Sequence, residues 1–317
     1  MKDDGLSSFF HLSFFILHPF SFILMFFDES TLRKLNQLTL IASRVRSGAM
    51  KGERRSSRRG SSVEFADYRN YTPGDDLRRL DWNIYARLDR PFIKLLEEED
   101  DLAVHVLVDG SQSMNWGEGE ENKFNYALRL IAGLGAVALA SGDVLSIGIL
   151  QHGKVSSEFG PVRGQASLPR LFKFLDGLEP GGITDLNQSL REYSIAPRRS
   201  GLVILISDLF ASDGCESGLR NLMGRGHEAA LIHLLAADEL DPPLAGDLQL
   251  IDIETGHEQD ISFDGGLRAQ YRLRARAWIQ STQANCRKQG IRYLDVITNQ
   301  PWDQTLLLEM RRAGFVK

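Results

Sequence analysis

Cysteine is nearly absent: Cys215 and Cys286 are the only two in 317 residues. They are too few for a disulfide framework and lack the spacing of a zinc site, which favours a reducing compartment and two unpaired thiols. Also missing are a Walker loop and a nucleotide-binding glycine fingerprint, so any ATP hydrolysis would belong to another protein. Ser111 lacks the Gly-x-Ser-x-Gly elbow of serine hydrolases, and the 7 histidines follow no triad order. Positive charge is not in excess: 37 Lys and Arg stand against 42 Asp and Glu, a net charge of −5. The chain as a whole is therefore not biased toward nucleic acid. With 43% apolar and 25% charged residues, disorder is not the default, and the length allows one large core or two modest ones.

The longest hydrophobic run, 9–27, approaches the length of a membrane span. Its flank is Lys2-Asp3-Asp4 instead of a basic region, no small-residue cleavage site follows, and His11, His18 and Pro19 interrupt it. Its Ser-Phe-Phe and Phe-Ile-Leu echoes read as a low-complexity leader, artefactual if Met25 is the initiator; the other readings are a membrane anchor and a cleaved signal. The expected location is cytoplasmic, or membrane-anchored if 9–27 inserts. From Ser30 to Arg46, apolar residues recur at helical spacing. The helix leads into a basic segment, 44–59, with Arg54, Arg55, Arg58 and Arg59. That segment reads as a solvated loop, with phosphate binding as the functional alternative; no aromatic platform for bases lies within it.

Residues 60–87 are dense in Arg, Asp and aromatics around the Pro73-Gly74 turn. Asp75, Asp76 and Asp81 could be paired catalytic carboxylates. The structural alternative is an Arg–carboxylate network of Arg69, Asp75, Asp76, Asp81 and Arg87, with Tyr68, Tyr71 and Trp82 as partly buried anchors. The acidic run Glu97 to Asp101 reads as a solvated lead-in to the first core strand.

That strand, Leu102 to Val108, is β-branched, apolar and buried by pattern, and it delivers Asp109-Gly110-Ser111-Gln112-Ser113 at its end. Strand ends of open α/β sheets bind ligands. A carboxylate with two hydroxyls offers hard oxygen donors, which suit Mg²⁺, or Mn²⁺, and not zinc. Downstream, strands at 144–150, 201–207, 229–235 and 291–297 alternate with helices at 123–140, 167–175, 186–193, 219–223 and 267–289. A short edge strand at 155–159, a hairpin at 248–263 and a last helix at 305–313 complete the pattern. This alternation predicts an α/β fold with a doubly wound, mostly parallel sheet, an N-terminal helix and a small accessory β segment. Three regions follow: the leader 1–27, a segment 28–100, and an α/β domain 101–317.

Gly181-Gly182-Ile183-Thr184 opens a helix and Ser207-Asp208 ends a strand, so both can reach the rim that carries Asp109. Asp109, Ser111, Ser113, Thr184 and Asp208 together resemble the metal-ion-dependent adhesion site of von Willebrand factor A domains. The run Glu64-Phe65, Asp67-Tyr68-Arg69, Tyr71, Pro73-Gly74-Asp75-Asp76, Asp81-Trp82 and Ala86-Arg87, followed by the Asp109 loop and Ser207-Asp208-Leu209, resembles the bacterial domain-of-unknown-function family 58 (DUF58). Members of that family carry a von Willebrand A-like, Rossmann-type fold. In one departure from the expected pattern, Ile183 separates Thr184 from Gly-Gly. The resemblance implies a binding module and no enzyme: Ser111, Ser113 and Thr184 as hydroxyl ligands of Mg²⁺, with Asp109 and Asp208 acting through water. A partner's Asp or Glu would complete the coordination, and a MoxR-type AAA+ ATPase would be the associated machine. An aspartyl phosphoryl-transfer enzyme would need a second Asp where Ser111 stands. The alternative function is a nucleic-acid-binding accessory protein using 44–59.

Overall fold

A computed structural model of the chain describes residues 27, 29–42, 63–73, 75–77, 80–98, 101–211, 213–251, 256 and 258–317. The basic segment 44–59 and all of the hydrophobic leader except Phe27 lie outside the described residues. Phe27 is buried against Phe172 and Trp302.

The protein is a mixed α/β structure built on a largely parallel central sheet. Its elements, in chain order, are α1 (Glu29–Leu35), β1 (Val63–Asn70), α2 (Trp82–Leu88), β2 (Phe92–Glu98), β3 (Ala103–Asp109), α3 (Lys123–Ala140), β4 (Val144–Gln151), β5 (Lys154–Arg163), α4 (Leu168–Asp176), α5 (Leu186–Ile195), β6 (Leu202–Ser207), α6 (Glu216–Gly224), β7 (Glu228–Leu235), α7 (Ala237–Leu240), β8 (Gly246–Ile251), β9 (Glu258–Phe263), α8 (Gly265–Gln289) and β10 (Arg292–Ile297). A closing helical stretch contains a π turn at Thr305–Glu309.

Six strands form the sheet in the order β10-β7-β6-β3-β4-β5, and only β5 runs antiparallel to its neighbour. The β3 run is buried at every position because its alternate residues serve two cores. Val104, Val106 and Val108 pack with α3 and α4, while Leu107 packs with α5 and α6. Helix α3 is apolar almost all round, as a helix enclosed on all sides must be. It is also the one helix among the described residues long and apolar enough to cross a membrane by length and composition, and it lies buried inside the protein.

From β3 the chain order spreads both ways, to β4 and β5 on one side and to β6, β7 and β10 on the other. The carboxyl ends of β3 and β6 therefore adjoin where the order reverses, and such a junction leaves a crevice open to a ligand.

Three sequence expectations need correction. The first helix stops at Leu35, well short of Arg46. Beyond it, Thr39 and Ile41 donate backbone hydrogen bonds to Lys317 and Phe315, and Leu40 bridges Val316, so pairing with the far end of the chain replaces helical bonds. Part of the acidic run is strand, not lead-in: Glu97 and Glu98 close β2, which pairs antiparallel with β1 in a separate two-stranded sheet.

Third, Trp82 is no buried anchor: it is 62% exposed at the start of α2, in contact with Tyr85. Parts of the network expected around it are present among the described residues. Arg69 grips Asp75 with two nitrogens, at 2.7 and 2.6 Å. Asp81 is buried, caps α2 by accepting from the Asn83 and Ile84 amides, and accepts from the Tyr68 hydroxyl at 3.0 Å. Asp76 and Arg87 are exposed, and Arg87 makes no ion pair among the described residues.

Candidate functional site

Asp109 is the last residue of β3 and is 1% exposed. One carboxylate oxygen accepts from the Ser111 amide at 3.0 Å, which bends the chain back at the strand end. The other accepts from the Ser207 hydroxyl at 2.7 Å. Ser207, at the end of β6, in turn accepts from the Leu209 amide, so one short network ties two adjacent strand ends together. The Ser111 and Ser113 hydroxyls lie 2.9 Å apart.

A second loop is zipped onto the first through its backbone. Gly181 donates to the Gly110 carbonyl and Gln112 donates to the Gly182 carbonyl, both at 2.8 Å; His152 donates to the Ile183 carbonyl at 2.9 Å. Gly182 sits at φ 76, in the left-handed region, with the His152 ring where a Cβ would project. Thr184 is thereby buried, and its hydroxyl donates to the Leu150 carbonyl at 3.2 Å. With the proton so committed, the oxygen lone pairs are left for another partner. The extra Ile183 does not displace Thr184 from the rim; it turns outward, 52% exposed.

Asp208 follows β6 and is fully buried. One oxygen accepts from the Phe210 amide at 3.1 Å, and the other accepts from the Lys123 ammonium at 2.6 Å. Lys123 opens α3, is itself fully buried, and also donates to Glu239 at 2.5 Å. Glu239 caps α7 by accepting from the Ala236 amide at 2.8 Å. His233 of β7 donates from Nε2 to the Asp208 carbonyl and accepts at Nδ1 from the Tyr293 hydroxyl. Burial holds His233 neutral, its pKa pushed down to about 4.

Sequence reasoning missed Lys123, Glu239 and His233. A lysine at a helix start reads as solvated, and its partners lie 85 and 116 residues away.

The structure thus places Asp109, Ser111, Ser113, Thr184 and Asp208 on three neighbouring loops at one edge of the sheet. Arg69, Asp75, Asp76, Asp81, Trp82 and Arg87 belong to the β1–β2 block. Among the described residues no three or more His, Cys, Asp or Glu side chains gather as a metal-holding group. A hard cation would have to rely on the hydroxyls, and this donor set fits one.

Electrostatics favour the fit. Asp208 and Glu239 share the single Lys123 ammonium, and Asp109 lies near enough to Asp208 to feel its charge, so the three carboxylates exceed the ammonium by two negative charges when all are ionised. Burial first, and the Asp208 charge second, raise the Asp109 pKa. Burial also raises that of Glu239, against the opposing pull of Lys123. A buried site short of two positive charges is a place where a divalent cation restores balance. The two cysteines take no part: both are free and buried, and burial pushes the Cys286 thiol up to about 11.

The chain matches the family described as "Protein of unknown function DUF58" over residues 67–280, and it belongs to that family. An uncharacterized protein of Mycobacterium tuberculosis is 25% identical over 305 residues, 94% of this chain and 96% of the relative. An uncharacterized protein of Mycobacterium avium is 29% identical over 119 residues, 37% of this chain and 70% of the relative. Among solved structures, the conserved hypothetical protein BatB from Bacteroides thetaiotaomicron aligns with a TM-score of 0.38 at 14% identity, covering 67% of this chain and 98% of that one. An aerotolerance-related membrane protein from Bacteroides fragilis aligns with a TM-score of 0.40 at 14% identity, with the same coverage of each chain.

Proposed function

We propose that this member of the DUF58 family is a von Willebrand A-like, doubly wound domain whose sheet edge is a metal-ion-dependent adhesion site, and that it acts as a protein-binding adaptor with no catalysis of its own. The observation that carries this reading is the convergence of Asp109, Ser111, Ser113, Thr184 and Asp208 on adjoining loops with two negative charges in excess. Mg²⁺, or Mn²⁺, is the proposed ion; when bound it supplies an exchangeable position for an incoming carboxylate. The hydroxyls of Ser111, Ser113 and Thr184 would hold it. Asp109 and Asp208, already engaged by Ser207, the loop amides and Lys123, would orient the loops and balance charge. The partner is a protein presenting Asp or Glu, and the resemblance noted above suggests a MoxR-type AAA+ ATPase and its target as the setting. We further propose a cytoplasmic location and a division into a block at 28–100 and an α/β domain at 101–317.

Calorimetric titration of the purified protein tests the metal. One Mg²⁺ or Mn²⁺ site is expected, weakened sharply in Ser111→Ala and in the half-buried Ser113→Ala. Absence of heat with both ions refutes the proposal.

A further inference from the structure

Each of the three oxygen-bearing loops also exposes one large apolar side chain. Trp116, three residues after Ser113, is 47% exposed; Ile183, beside Thr184, is 52% exposed; Phe210, two after Asp208, is 44% exposed. Single exposed hydrophobics are ordinary on a protein surface. One on every loop of a polar cluster is the composition of an interface centre, where apolar contacts keep water from the charged pair they surround.

Helix α8 extends this rim. It carries Arg268, Arg272, Arg274, Arg276, Arg287 and Lys288 with no acidic residue, in a chain whose net charge is −5. The helix is fastened to the site at two points. The Tyr271 hydroxyl donates to the Glu239 carbonyl at 2.6 Å, and Trp278 stacks on Phe210 with ring centres 5.6 Å apart. Arg274 falls three residues after Tyr271 and four before Trp278, on the same flank of the helix. Arg268 and Arg272 share Asp241 and the Arg276 charge also acts on it, whereas Arg274 makes no ion pair among the described residues. Leu273, 71% exposed, faces outward between the two flanks of the helix.

We infer that these parts form one docking surface for a protein segment that carries acidic residues between apolar ones. One carboxylate of the segment meets the oxygen cluster among Trp116, Ile183 and Phe210, and the next meets Arg274. The inference rests on the metal-dependent reading above and names the partner chemistry of that same site. A nucleic acid fits less well. Its phosphates present charge at every step and have no use for Ile183, and the exposed Glu118, Glu120 and Glu121 of the loop into α3 repel a continuous polyanion.

Fluorescence anisotropy tests the surface with a fluorescein-labelled Gly-Leu-Glu-Phe-Glu-Gly peptide, its Gln-for-Glu counterpart, and a mixed-sequence single-stranded oligonucleotide, each in Mg²⁺ and in EDTA. The Glu peptide is expected to bind in Mg²⁺ and the Gln peptide to bind far more weakly. Arg274→Ala and Ile183→Ser should each weaken the Glu peptide roughly threefold to tenfold, the range of one charge pair or apolar contact at an interface. Both positions are exposed, so folding is not at risk, and the Mg²⁺ heat should stay at the wild-type value. If both variants bind the peptide as wild type does while still binding Mg²⁺, the docking surface is wrong and the metal reading stands. If no Mg²⁺ heat is seen and peptide binding is the same in EDTA, the metal reading fails and this inference with it. Failure of the Glu peptide to bind, or preferential binding of the oligonucleotide lost in Arg274→Ala, also overturns it.

Discussion

Replacing Lys123 by methionine isolates the electrostatics of the site. Methionine keeps most of the stem and removes the ammonium, leaving Asp208 and Glu239, with side chains 0% and 12% exposed, without the cation that lies 2.6 and 2.5 Å from them. Breaking a buried pair from one side costs about 3–5 kcal/mol, because an uncompensated charge stays behind. In a chain of this size that is a loss of roughly 10 °C in Tm. The assay is urea unfolding in EDTA, followed by the same curves with excess Mg²⁺.

Two further outcomes follow from the same geometry. Adding Asp208→Asn to Lys123→Met removes one of the stranded charges, so the double variant should be more stable than the sum of the single effects by about 1–3 kcal/mol. Excess Mg²⁺ at ~100 times its Kd stabilises by about 2.7 kcal/mol, and Lys123→Met, with one more unbalanced negative charge, should gain at least as much at lower Mg²⁺. A Lys123→Met protein with the wild-type urea midpoint in EDTA would refute the reasoning, as would strict additivity.

Acid sensitivity should be traceable to the buried histidines. Burial lowers the pKa of His105 from 6.5 to about 4, so between those values the unfolded chain binds the proton and the folded protein does not. Stability therefore falls as pH drops from 6.5 toward 4, by up to about 3 kcal/mol for this residue. His105→Gln should flatten the unfolding free energy across that window by the same amount, and a variant that tracks wild type there contradicts the assignment. In the β1–β2 block, Asp81→Ala removes the cap of α2 and the Tyr68 partner and should cost about 1–2 kcal/mol. Trp82→Ala, at an exposed position, should change stability by less than about 0.5 kcal/mol; the two thermal midpoints compared side by side decide this.

Much of the architecture follows from local pattern alone. The β-branched run before Asp109 reads as a buried strand, the stretch 123–140 reads as a long apolar helix, and the turn at Ser141-Gly142-Asp143 separates that helix from the next strand. Periodicity and turn chemistry act over a few residues, so they are legible in order along the chain, and they put the oxygen-bearing loops at strand and helix boundaries. The sequence by itself therefore determined the alternation of strands and helices and the donor types at 109–113, 184 and 208.

What only the tertiary structure decided are the relations between distant segments. The early helix ends at Leu35 because Thr39–Ile41 find backbone partners at Phe315 and Lys317. Trp82 is exposed because the short helix it begins buries none of its residues. Lys123 is fully buried because α3 begins where the end of β6 and the cap of α7 converge, so two carboxylates solvate an ammonium that would otherwise face water. No local pattern encodes that convergence: the energy of a buried charge depends on groups brought near it by the fold, and Asp208 and Glu239 are neighbours of Lys123 only in space.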